Sequence, residues 1–150
     1  MKKVIILFLV VLAVSIAMAK GTTNVTAVVK GKPLEFSPAV RDQVIQKSVA
    51  LLSSCAYVDP RPDWGAPGQP QSIADAQKNS HLRFVFSNPC QVEVPIEKLT
   101  VQVREMVVSL PLVTAWIWVR TDEGVRYFAK FSHAVVEGLQ PLLQKANHQE

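Results

Sequence analysis

Residues 114–132 read TAWIWVRTDEGVRYFAKFS. Val, Ile, Trp, Tyr and Phe crowd two runs, and Thr121-Asp122-Glu123-Gly124 separates them. β-rich runs around a short gap that ends on Gly predict an antiparallel hairpin. Gly124 is placed to take the positive φ that closes such a loop. Two registers are open. A three-residue loop sets Trp118 opposite Phe128 and Arg120 opposite Arg126, which brings like charges together. A four-residue loop sets Trp118 opposite Tyr127, and this register is the preferred one. Apolar residues stand on both faces in either register, so both faces need cover.

Working outward, the strands before the hairpin come from alternation. His81–Phe86 points Leu82, Phe84 and Phe86 to the core, and Asn88-Pro89 turns the chain. Cys90–Ile96 puts Val92, Val94 and Ile96 on one face, and Leu99–Val108 points Leu99, Val101 and Val103 inward. After the hairpin, Ser132 opens a helix carrying Val135, Val136, Leu139, Leu142 and Leu143, which Pro141 should break near Gln140. The helix that starts at Pro38 can cover one sheet face, and this C-terminal helix is expected to cover the other, the face of Trp116 and Trp118, at least in part.

Upstream, Thr22–Val29 alternates like a strand and Lys30-Gly31-Lys32 turns it. Ser37-Pro38 starts a helix to about Ser54, with Ser37 as cap and Pro38 at the first position. Val40, Val44, Ile45, Leu51, Leu52 and Cys55 share one arc of it, and Asp42, Gln43, Gln46 and Lys47 share the other. That is a helix lying on a sheet. Its polar arc is not the basic face of a membrane-surface helix.

Between Tyr57 and Pro70 stand four of the ten prolines and two of the six glycines. No regular element survives that density. Ser72–Asn79 can form a short polar helix. The elements make an α+β domain: a long N-terminal helix on an antiparallel sheet of four to five strands, with a short C-terminal helix. Residues 20–150 form this single domain, with a Pro-rich insert at 56–80.

The chain opens Met1-Lys2-Lys3, runs apolar to Ala19 and ends that run on Ala17-Met18-Ala19. A basic start, an apolar run and an A-x-A site predict a signal peptide over 1–19 and a secreted or periplasmic protein. The apolar run is shorter than the roughly 20 residues that span a membrane, so no stable insertion is expected after cleavage. Losing Lys2 and Lys3 lowers the net charge from +4 to about +2. The remainder holds no Lys/Arg block, which excludes the footprint of a nucleic-acid binder. An exported chain with two cysteines predicts a Cys55–Cys90 disulfide. Closing a loop of about 36 residues is worth roughly 4 kcal/mol in the chain-entropy model.

No stretch carries a known chemical motif. His81, His133 and His148 have no metal spacing, no Ser lies in G-x-S-x-G, and no Gly-rich phosphate cradle exists. Glu93 and Glu97 could form an acid–base pair, but both read as solvated. No cofactor is expected. Binding has better support. Trp64 sits in a Pro-braced loop beside the cysteine staple, and prolines lower the ordering cost of binding. Trp64 is then an anchor with Asp59, Arg61 and Asp63 at its rim, unless it folds back into its own core. Trp116, Trp118 and Arg120 form a second candidate, an aromatic platform with a cation, unless the C-terminal helix covers them. The expected function is an exported non-catalytic binding or interaction module whose partner is a protein or peptide in the envelope or outside the cell. A small exported hydrolase without a recognisable motif is the alternative.

The element order resembles the cystatin-like arrangement, a helix wrapped by a curved sheet. Gln91-Val92-Glu93-Val94-Pro95 lacks the Gly of the cystatin Q-x-V-x-G hairpin. No inhibitor function and no binding residues are therefore implied.

Overall fold

The structure, a computed structural model, describes residues 23–59, 72–112 and 115–147. Within them the chain runs β1 (Thr23–Val29), β2 (Lys32–Leu34), α1 (Pro38–Ser53), β3 (Tyr57–Asp59), α2 (Ile73–Ala76), β4 (His81–Val94), β5 (Leu99–Ser109), β6 (Ile117–Thr121), β7 (Gly124–Ala129) and α3 (His133–Asn147). The leader and its cleavage site, Arg61, Asp63, Trp64 and His148 lie outside the described residues.

The fold is α+β, with one antiparallel sheet in the order β2-β1-β4-β5-β6-β7-β3. Seven strands replace the four to five read from sequence. The additional two, β2 and β3, are three residues long, too short to show alternation. β2 exists because Lys30 and Gly31, with φ of 51° and 78°, turn the chain tightly onto β1. Two consecutive positive φ values suit the right-handed twist of a two-residue hairpin.

The β6–β7 hairpin has the preferred register: Trp118 faces Tyr127 and Arg120 faces Val125. Its loop is tighter than expected, since Thr121 pairs with Gly124 and leaves Asp122-Glu123 as the turn. Gly124 has a φ of 134°. The Thr121 hydroxyl donates to Gly124 O and accepts from Glu123 N, both at 3.1 Å, which satisfies the turn locally.

The two strands expected either side of Asn88-Pro89 are one strand, β4, with a register shift between Val85 and Cys90. Proline here falls at an irregularity, where no ladder donor is needed. Ile96 does not join Val92 and Val94 in the core. Pro95 ends the strand, a single 3-10 turn follows, and Ile96 is 53% exposed.

α1 buries Val44, Ile45, Leu51 and Leu52 as its arc predicts, together with Val49 and Ser48, while Val40 is half-buried. Ser37 makes no side-chain cap bond; its carbonyl accepts from Arg41 N at 2.8 Å. α3 runs through Pro141 without ending. Leu139, Leu142 and Leu143 are buried on both sides of the proline, so apolar packing outweighs the lost backbone bond. α3 lies beside α1, and both helices share one apolar cluster with Phe84, Val103, Ile117 and Phe128. The expectation that α3 covers the Trp face is corrected: both long helices sit on the same face of the sheet.

Candidate functional site

The opposite face is built from residues that alternate with the core set. At its β6–β7 end, Trp116 stacks on Tyr127 with ring centroids 4.7 Å apart and planes at 27°. Trp118 tilts against the same ring at 5.3 Å. Cross-strand register explains the ladder, since aromatic pairs on neighbouring strands meet when opposite or diagonal. Two bonds pin Trp116 to β5: Ser109 N donates to Trp116 O at 2.9 Å, and Trp116 N donates to Ser109 Oγ at 2.8 Å.

A short helix from the Pro-rich insert covers part of this ladder. Ile73 and Ala76 of α2 pack with Val107, Trp118, Tyr127 and Ala129. α2 forms because Ser72 caps it: Asp75 N donates to Ser72 Oγ at 3.1 Å, and that hydroxyl donates to Asp75 Oδ2 at 2.9 Å. The Lys78 ammonium hydrogen-bonds Asp75, and with Ser72 it holds that exposed carboxyl below the ordinary range. Trp118 and Tyr127 are buried, whereas Trp116 is half-buried. Among the described residues the indole Nε1 of Trp118 has no hydrogen-bond partner.

Away from α2 the face becomes charged. Glu105 accepts from Arg83 Nε at 2.8 Å and from Arg120 Nε at 3.1 Å. β4, β5 and β6 thus present a cation–anion–cation row across three strands. The Glu105 side chain is only 12% exposed, against 37% and 52% for the two arginines. Burial pushes the Glu105 carboxyl up, but the two arginines, through hydrogen bonds and charge, outweigh it and hold the group below its ordinary range. One cation is left in excess on this part of the face.

Of the sequence candidates, the structure brings Trp116 and Trp118 together on one face and sets Arg120 further along the same strand. Asp59 is placed by its backbone alone, in β3 opposite Tyr127. Tyr127, Arg83 and Glu105 were missed. Arg83 alternates outward in β4, yet its link to Glu105 needs the β4–β5 register, which a sequence does not show.

Among the described residues, the histidines and glutamates considered for hydrolysis stand apart from one another. His81 is buried, and its Nδ1 donates to Asn79 O at 2.7 Å. His133 lies on the exposed side of α3, 3.2 Å from Glu137. Glu93 and Glu97 are both exposed. Among the described residues no group of three or more His, Cys, Asp or Glu could hold a metal, and no helix is long and apolar enough to cross a membrane. Cys55, just beyond α1, is buried in the apolar cluster under the long helices, and Cys90 packs against that cluster from β4. Burial pushes the Cys90 thiol up. No family model matches the chain, and neither a curated protein nor a solved structure does.

Proposed function

We propose that this chain is an exported, non-catalytic binding module, and that it contacts a protein or peptide partner through the loop 59–70 and the adjoining aromatic end of the open sheet face. The observation that carries this reading is the seating of both flanks of the loop. β3 ends at Asp59 opposite Tyr127, and α2 resumes on Trp118 and Tyr127. A Pro-rich segment held at both ends on one aromatic face loses less entropy when a partner fixes it. Trp64 is the anchor, Arg61 and Asp63 set its rim, and the half-buried Trp116 extends the contact. A Cys55–Cys90 bond would close the same loop at its base. In the fold, the order of helix then antiparallel meander supports a cystatin-like arrangement around the long α1, without cystatin chemistry.

The test pairs two measurements on wild type and Trp64→Ala. Capture from envelope extract identifies a partner, whose affinity for both proteins is then measured. The reading expects a loss of about 2 kcal/mol or more in affinity, with an unchanged urea midpoint. A large drop in midpoint at constant slope would make Trp64 a structural plug and remove the anchor from the proposal.

A further inference from the structure

The β4–β5 ribbon outruns the strands beside it. β6 pairs with β5 only from Glu105 to Val108, while β5 begins at Leu99. Among the described residues, no strand pairs with the outer edge of Leu99–Arg104. That edge is firmly held: Val101 and Val103 are 3% and 0% exposed, and β4 pairs along its other side. Protein edges of this kind are usually guarded by a proline, an inward charge or a bulge. Leu99-Thr100-Val101-Gln102-Val103 has no proline and no charge, and its pairing with Val94–Cys90 is regular. Its outward N–H and C=O groups are a template for one more strand.

The edge is also complementary to itself. Antiparallel pairing about Val101 sets Val101 against Val101, Leu99 against Val103, and Thr100 against Gln102 of a second copy. Apolar residues then meet on the core side and polar residues on the outer side. Sliding by one residue would set Leu99 against Gln102 and mix the two faces. In the matched register, Lys98 of the second copy comes level with Arg104. Asp122 already takes up that charge, accepting from Arg104 Nη2 at 3.1 Å. Asp122 of the β6–β7 turn is tied to Arg104, so the turn bounds the free edge at that end and helps fix the register.

We propose that two copies of this chain pair through the Leu99–Val103 edges of their β5 strands, joining two seven-stranded sheets across a two-fold axis at Val101. Five residues a side make an interface below the standard size, so the dimer is weak and reversible. It uses a different surface from the proposed partner contact and stands or falls separately.

Sedimentation equilibrium over a concentration series tests it. Wild type should show a monomer–dimer equilibrium. T100K/Q102K sets lysine against lysine twice across the axis and should weaken dimerisation about tenfold or more. T100K/Q102E sets lysine against glutamate twice and should dimerise at least as well as wild type. Both positions are exposed, so unchanged circular dichroism is expected throughout. Wild type remaining monomeric at about 1 mM, well above the range of specific weak complexes, would overturn the proposal. So would equal dimerisation of the two variants.

Discussion

Under α1 and α3 the sheet is sealed by helices of 16 and 15 residues. Under α2 it is covered by a helix of four. The first face is apolar from β1 to β7. The second is apolar where α2 packs on it, and carries Arg83, Glu105 and Arg120 further along. Two long helices cover one face of a broad sheet, and among the described residues no other helix of that length remains for the second. Charge occupies what α2 leaves open, because the two arginines stay partly solvated there and compensate the less exposed Glu105 between them. The sealed face holds the fold together, and the half-covered face is the one proposed to meet a partner.

The sharpest way to break this contrast is to empty the sealed side. Phe84 is 0% exposed, and Phe84→Ala should cost about 3–5 kcal/mol, read as a fall in urea midpoint at constant slope. A loss under 1 kcal/mol would mean that this face is not the main core. Next in size is the staple. If Cys55 and Cys90 are bonded in the exported protein, thiol titration under denaturation should find none, and reduction should cost roughly 4 kcal/mol. The bond would close the segment that brings α2 to the second face, so amides of α2 should lose protection before those of α1. Two reactive thiols in the exported protein would end this idea.

A smaller effect has the opposite sign. Ser48 is 0% exposed, and among the described residues its Oγ has no hydrogen-bond partner. Removing a buried, unsatisfied hydroxyl recovers its desolvation penalty, so Ser48→Ala should stabilise by about 1 kcal/mol. Destabilisation by that much would show that the hydroxyl is satisfied in solution. The smallest effect concerns Glu105 on the charged part of the second face. Its pKa is depressed on folding, so its stabilisation is complete above the unfolded carboxylate pKa. It is lost as the pH falls through the folded value. Glu105→Gln should flatten the acid limb of the stability curve, and an unchanged limb would mean that the two arginines do not support it.

Much of the sealed face was legible. The arc of α1 and the inward set Leu82, Phe84, Phe86, Val101 and Val103 follow from period, because burial on one side imprints alternation. The hairpin register was legible too, from the penalty on facing Arg120 with Arg126. Ser48 was not, because a small polar residue on an apolar arc looks like a surface position. Nor was the course of α3 through Pro141, because local preference favours a break and tertiary packing overrules it. The second face was the least legible. Its ion row depends on strands whose partners are set by register, and its cover is four residues inside a stretch that reads as loop.

The sheet order carries a kinetic consequence. β4, β5, β6 and β7 are consecutive in both sequence and space, so each joins its neighbour across a short loop. β3 reaches β7 by pairing Tyr57 with Ala129, across nearly half the chain, and β1 reaches β4 by pairing Val25 with Phe84. Distant closures lose more chain entropy before any contact repays them. Assembly should therefore spread from the middle of the sheet to its flanks, with the strand that carries Asp59 arriving late. In pulse-labelled refolding its amides would be protected after those of the meander. The proposed partner surface would then be complete only once the rest of the molecule has formed.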